Sequence, residues 1–173
     1  MAVFFTADTH FGHAGARALY RRPFASVAAM DEAMAARWNE TVGPEDEVWH
    51  LGDFVVCRGA AVVATALLAR LNGRKRLVIG NNDPPEVAAL PGWSAPAVHY
   101  AEVEIDGTGV VLCHYAFRTW RNAARGCVNL HGHSHGRLRP LLPRQIDMGV
   151  DVQDFRPVTL AQALANRRRR STG

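Results

Sequence analysis

The sequence has only three cysteines, no long apolar run, no internal repeat and, once its last arginines are set aside, no net charge. Each shortage removes a class of protein. Cys57, Cys113 and Cys127 have no Cys-x-x-Cys spacing, and an odd number argues against a disulfide framework, so all three read as small core residues. No apolar run approaches the length of a membrane span. The N-terminal apolar stretch is cut by Asp8 and has no basic start, unlike a signal peptide, which makes the cytoplasm the expected location. The formal net charge of +4 is matched by the four arginines at 167–170; without them sixteen basic residues face sixteen acidic ones. The basic excess therefore belongs to the tail, and composition makes no case for nucleic-acid binding by the body. At 173 residues and 48% hydrophobic content, the chain fits one domain, residues 1–173, with a basic tail at 167–173. Nothing in the sequence speaks to oligomeric state.

What is abundant is histidine and aspartate at the ends of short apolar runs. Leu130-His131-Gly132-His133-Ser134-His135-Gly136 places two imidazoles two residues apart behind a glycine. In extended backbone such residues share a face. Gly132 lets the chain turn and pass close to whatever the rings bind. Four other runs end the same way: Phe4-Phe5-Thr6-Ala7 in Asp8-Thr9-His10, Val48-Trp49-His50-Leu51 in Gly52-Asp53, Leu77-Val78-Ile79 in Gly80-Asn81-Asn82-Asp83, and Val111-Leu112-Cys113 in His114. Runs this short and rich in Val, Leu, Ile and Phe read as buried strands. Ligands in α/β sheets bind at the carboxyl ends of strands, so these ends describe one convergent site.

In chain order, strands are expected at 2–6, 47–51, 76–79, 98–105, 110–114, 128–130 and 145–148. Ser26 N-caps a helix that buries Val27, Met30, Met34 and Trp38 and stops before Gly43-Pro44. A second helix, 60–71, buries Val63, Leu67 and Leu71. Asp83 is expected to cap a short helix opened by Pro84-Pro85, Asp106-Gly107-Thr108-Gly109 to turn a hairpin, and Thr159-Leu160-Ala161-Gln162 to form a capping box. The first half is β-α-β-α-β and the second strand-rich. Two sheets packed face to face with helices outside satisfy both.

Seven candidate ligands result: Asp8, His10, Asp53, Asn81, His114, His133 and His135. That is too many for one tetrahedral ion and suits two sharing a bridge. Carboxylate, amide and imidazole donors without thiolate fit divalent Mn, Fe, Zn, Co or Ni, with Mn favoured. Paired ions clamp the oxygens of an in-line displacement, and the matching chemistry is hydrolysis at phosphorus.

Asp8-x-His10, Gly52-Asp53, Gly80-Asn81-x-Asp83, His114 and Gly132-His133-x-His135 stand in the order of the calcineurin-like metallophosphoesterase superfamily, which the chain resembles over about residues 5–151. The resemblance implies an α/β, four-layer α-β-β-α sandwich of two mixed sheets. It implies that Asp8, His10 and His135 hold one metal, that Asn81, His114 and His133 hold the other, and that Asp53 bridges them. A metal-bridging hydroxide would attack the phosphorus of a small phosphoester. The motif histidine that stands near the leaving group in the family is Asn82 here, and an amide cannot transfer a proton at neutral pH. This favours a phosphodiesterase over a phosphomonoesterase or nucleotide-polyphosphate hydrolase, and keeps a catalytically weak binding scaffold as an alternative. His13 is the candidate replacement. Arg118 and Arg137 follow ligand motifs and are candidate phosphate contacts.

Overall fold

The computed structural model describes residues 1–171, with side chains to residue 167; the remaining arginines of the expected solvated tail, Arg168, Arg169 and Arg170, have side chains outside the described residues. Two four-stranded sheets carry the chain. The first has the order β3-β2-β1-β8, from Arg74–Leu77 (β3), Glu47–His50 (β2), Val3–Thr6 (β1) and Val158–Thr159 (β8). The second has the order β4-β5-β6-β7, from Tyr100–Ile105, Thr108–Cys113, Val128–His131 and Gln145–Asp147. Both are mixed: β1, β2 and β3 run parallel with β8 antiparallel, and β5, β6 and β7 run parallel with β4 antiparallel. This is the expected α/β arrangement of two mixed sheets with helices.

The apolar runs are continuous because the first sheet is buried on both faces. Alternation along β1 sends Phe4 toward the helices and Phe5 toward the second sheet, and β2 does the same with Val48 and Trp49. The helical side is filled by α2, Val27–Thr41, and α3, Ala60–Arg70. Ser26 Oγ accepts the Ala29 amide as the α2 cap, and Met30, Met34 and Trp38 are buried as the spacing predicts, while Val27 is only half-buried. In α3 the buried residues are Ala60, Ala64, Leu67 and Leu68; Val63 is only half-buried and Leu71 is buried just past the helix end. Between the sheets Phe5, Leu51, Leu112 and Leu130 are fully buried. The final helix α5, Leu160–Ser171, packs on β1, β7 and β8. Its start is the expected capping box: Gln162 Oε1 accepts the Thr159 amide at 2.8 Å and Thr159 Oγ1 accepts the Gln162 amide at 3.3 Å. Among the described residues no helix is long and apolar enough to cross a membrane.

Several expectations shift. A short helix, Ala16–Leu19 (α1), lies between β1 and α2, where no element is expected. The third strand pairs two residues earlier than its apolar run, through Arg74, Lys75 and Arg76. Long side chains made this possible: the Lys75 ammonium donates to the Leu71 carbonyl, and Arg76 lies over the Trp49 ring while pairing with Glu47. Asp83 does not cap the helix Pro85–Ala88 (α4), whose N-cap is Pro84 without a side-chain bond. Cys57 is half-buried, unlike Cys113 and Cys127. The hairpin turn is Asp106-Gly107, both with positive φ (49° and 75°), closing Ile105 onto Thr108.

Leu130 is fully buried between the sheets. Leu130→Ala should cost about 2–5 kcal/mol. Urea unfolding should show a lower midpoint at unchanged slope, and a loss below about 0.5 kcal/mol would mean that the sheets are not packed through it.

Candidate metal centre

The parallel strands of both sheets end on one side, and the candidate ligands leave from those ends. Asp8 and His10 follow β1, Asp53 follows β2, Asn81 lies beyond β3, His114 follows β5, and His133 and His135 follow β6. The chain must turn sharply there. Asp8, His10, Asp53, His133 and His135 all have φ between 44° and 66°, a left-handed conformation that non-glycine residues seldom adopt. The strand argument for His133 and His135 therefore reaches the right place for the wrong reason. The β6 ladder ends at His131, and both rings are aimed by a loop rather than by strand alternation. Two glycines permit the crowding. At Gly52 (φ +95°) an added Cβ would stand 2.6 Å from His114 Nδ1, and at Gly132 it would stand 2.8 Å from an Asp8 carboxylate oxygen.

The cluster is tight. Ligand atoms of Asp8, His10 and His135 lie within 4.8 Å of one another, as do those of Asp8, Asp53 and His114. Asp53 spans the two sides: Oδ2 is 3.4 Å from His10 Nε2, and Oδ1 is 3.6 Å from His114 Nε2. Asn81 Oδ1 is 3.0 Å from His114 Nε2, and the His133 ring meets the His114 ring edge-on at 5.2 Å. All seven residues are thus brought to one site. Asp8, His10, Asp53 and His114 are buried, His135 is half-buried, and Asn81 and His133 are exposed, so the site has a closed floor and an open mouth.

The charge state favours cations. Burial, with Asp147 adding to it, pushes the Asp8 carboxyl well above its ordinary range. Burial also works against the Asp53 carboxylate, but the nearby His10 and His114 rings and the bonds from Asn82 outweigh it and hold Asp53 low. Burial lowers His10 and His133, keeping those imidazoles neutral, the form that ligates. His10 Nε2 is buried and has no hydrogen-bond partner. Two buried carboxylates, neutral imidazoles and a buried His10 Nε2 without a hydrogen-bond partner form a donor set that a divalent ion fits.

Hydrogen bonds around the cluster fix its members. Leu51 O is 2.8 Å from His114 Nδ1. The His133 amide donates to both Asp8 oxygens at 3.0 and 2.9 Å. The Asp83 carboxylate accepts the amides of Asp53, Phe54 and Gly80, locking two ligand loops together. Asn82 grips Asp53 twice, with its amide on Oδ1 at 2.8 Å and its side chain on Oδ2 at 2.7 Å. The His13 ring stacks on His10 and its Nδ1 sits 3.2 Å from His10 Nδ1. With His10 Nε2 turned to the cluster, Nδ1–H is the donor and His13 the acceptor. Arg137 donates to the Leu19 carbonyl beside the Tyr20 ring, and Arg118 is exposed on the loop after His114, outside the cluster. His50 is fully buried against Thr9 Oγ1, and His131 bonds the Gly132 carbonyl.

Three participants escape the sequence reading. Arg22 is buried and donates bidentately to Asp151 (2.8 and 2.9 Å), and also to the Asp8 and Thr9 carbonyls (both 2.7 Å). Asp151 Oδ2 in turn lies 2.7 Å from His135 Nδ1. The Tyr20 ring stacks on His135 at 3.5 Å and 7°. Arg22 and Tyr20 stood in an unremarkable basic stretch and Asp151 in a turn, with no local pattern to mark them.

Residues 1–141 match the calcineurin-like phosphoesterase superfamily domain. This chain belongs to that superfamily. It is 33% identical over 194 aligned positions to the Gene 66 protein of Mycobacterium phage D29, covering 95% of this chain and 96% of the relative. An uncharacterized protein of Methanocaldococcus jannaschii is 27% identical over 164 positions, covering 91% and 86%. The crystal structure of a protein of unknown function from Aquifex aeolicus superposes with a TM-score of 0.74 at 23% identity, over 92% of this chain and 96% of that one, a likeness of fold. The cluster of Asp8, His10, Asp53, His114 and His135, which could hold a metal ion, therefore lies in a chain of a phosphoesterase family.

Removing Arg22 takes the bidentate guanidinium from Asp151 and leaves it with His135 alone. Arg22→Gln should lower metal affinity about 10–100-fold, with His135 freed to reorient. Calorimetric titration of the metal-free protein with Mn²⁺ checks this, and unchanged affinity would show that the Arg22–Asp151 pair does not support the centre.

Proposed function

We propose that this chain is a dinuclear metal-dependent phosphodiesterase. The observation that carries the reading is the placement of Asp53, whose two oxygens face His10 on one side and His114 on the other. Asp8, His10 and His135 would hold one divalent ion, Asn81, His114 and His133 the second, and Asp53 both. Mn²⁺ is the first ion to test. Ions so held supply Lewis-acid polarisation of the phosphoryl oxygens and lower the pKa of a water that serves as nucleophile.

The chain's own residues do the rest. Arg22 and Asp151 hold the His135 ring, and His13 holds His10 through Nδ1. Asp83 keeps the Asp53 and Gly80 loops in register. Arg137, exposed above Tyr20 and His135, offers a guanidinium to a substrate oxygen at the mouth. Asn82 is spent on the Asp53 carboxylate and has no proton to give a departing alkoxide. His13 shares its Nδ1 with His10, which leaves only Nε2 to act as an acid. An esterase without a strong general acid favours leaving groups that depart unprotonated.

Chelation should abolish hydrolysis of an aryl phosphodiester and Mn²⁺ should restore it; full turnover in chelator sinks the reading. Asp53→Asn should reduce turnover by orders of magnitude while thermal unfolding stays cooperative, and near-normal turnover would remove Asp53 from the bridge.

Across a series of diesters, wild-type rates should fall steeply as leaving-group basicity rises. General acid catalysis contributes about 10²–10⁴-fold, mostly for poor leaving groups. Asn82→His should therefore help alkyl esters more than aryl esters. A flat dependence in the wild type, with chemistry rate-limiting, would mean that another residue donates the proton, and His13 is then the one to replace.

A further inference from the structure

The overall charge balance hides a segregation. Between residues 107 and 146 the chain has no aspartate or glutamate but six arginines: Arg118, Arg121, Arg125, Arg137, Arg139 and Arg144. All six are exposed. They lie on the two connections that leave the metal centre, the one from His114 to β6 and the one from His135 to β7. Arg121 is paired with Glu102. Arg137, Arg139 and Arg144 donate to main-chain carbonyls, which orient a guanidinium without neutralising it.

The two connections face each other. Gln145 Nε2 donates to the Phe117 carbonyl at 2.6 Å and Arg144 to the Ala123 carbonyl at 3.0 Å. Between them runs a groove of about 230 Å³, with Ala116, Phe117 and Arg118 on one wall and Leu138, Arg139 and Leu142 on the other. Beside the candidate ligands stands Tyr115, 47% exposed, with its ring edge-on to His114 at 5.0 Å and to His133 at 4.8 Å. Repeated guanidinium groups with an accessible aromatic ring are what a single-stranded nucleic acid requires: one cation per phosphate and a face on which a base stacks. A mononucleotide or small diester would need one arginine. A lipid surface would need exposed aliphatic side chains, and on these connections Leu141 is the one large exposed aliphatic residue among the described residues.

We propose that the groove between residues 116–118 and 138–142 binds a single-stranded polynucleotide, with Arg118 and Arg139 on its phosphates and the neighbouring Tyr115 under a base next to the candidate metal ligands. This rests on the phosphodiesterase reading and names its substrate class. The test is a binding measurement made in chelator, so that it stands or falls separately from hydrolysis. Fluorescence anisotropy of a labelled single-stranded DNA of about 20 nucleotides is followed across salt concentrations. The logarithm of affinity should fall linearly with the logarithm of salt, with a slope near −0.7 for each phosphate contacted. Arg118→Gln with Arg139→Gln should flatten that slope by about 1.4. Tyr115→Ala should weaken binding roughly 5- to 100-fold, and Tyr115→Phe should retain it.

A variant with Arg168, Arg169 and Arg170 all changed to Gln should keep the same dependence on the groove arginines. Three results overturn the proposal: no binding at low salt, binding lost with those three arginines but indifferent to Arg118 and Arg139, or equal competition by inorganic polyphosphate or phosphatidylserine vesicles.

Discussion

The constraint on which the structure turns is the burial of two carboxylates, Asp8 and Asp53, where the ends of the two sheets meet. An uncompensated buried charge costs several kcal/mol. The polypeptide offsets that cost with donors, the His133 amide on Asp8 and both Asn82 groups on Asp53. Asp8 remains pushed toward its protonated form even so. Beside the two carboxylates stand neutral imidazoles and a buried His10 Nε2 without a hydrogen-bond partner.

Holding so many polar groups in one place requires backbone that the chain would not adopt freely. Five of the candidate ligands sit in left-handed conformation, each costing of order 1 kcal/mol or more. The sheets carry that strain. Their central strands are buried, and the candidate ligands are anchored one to four residues beyond the last ladder bonds. The Asp83 carboxylate, which takes three loop amides, does for the first sheet what Arg22 does for the junction with the last loop. Side chains held this way are set in place by the fold itself, which is the condition that a site acting through positioned charge requires.

Charge also has a long-range layout. The carboxylates collect in the floor of the site and over the first 106 residues, while the connections leaving the site carry arginine alone for some forty residues. A totalled charge of nearly zero for the body concealed this, because net charge is a sum and a surface potential is a distribution. The exposed arginines of these connections thus form a cationic rim beside the carboxylate-bearing cluster.

Much of this was legible in the chain. Phe4-Phe5 and Val48-Trp49 announced doubly buried strands, Ser26 and Thr159 announced helix starts, and Asp-Gly at 106–107 announced a hairpin, because each is a matter of neighbours within a few residues. The ligand types at the strand ends were legible for the same reason, and so was the family. The strand at Arg74 was not, since long basic side chains can bury their stems and keep their heads in polar contact. Nor was the role of Asp83, which binds amides thirty residues away instead of capping the helix beside it. The pairing of Arg22 with Asp151 spans 129 positions, and the stacking of Tyr20 on His135 spans a comparable stretch. The sequence by itself determined which chemical groups the strands deliver to their ends, because periodicity and propensity are local. Only the tertiary structure decided which groups fix them there and which loops face each other across the groove, because those contacts exist only after two sheets have packed and brought distant turns together.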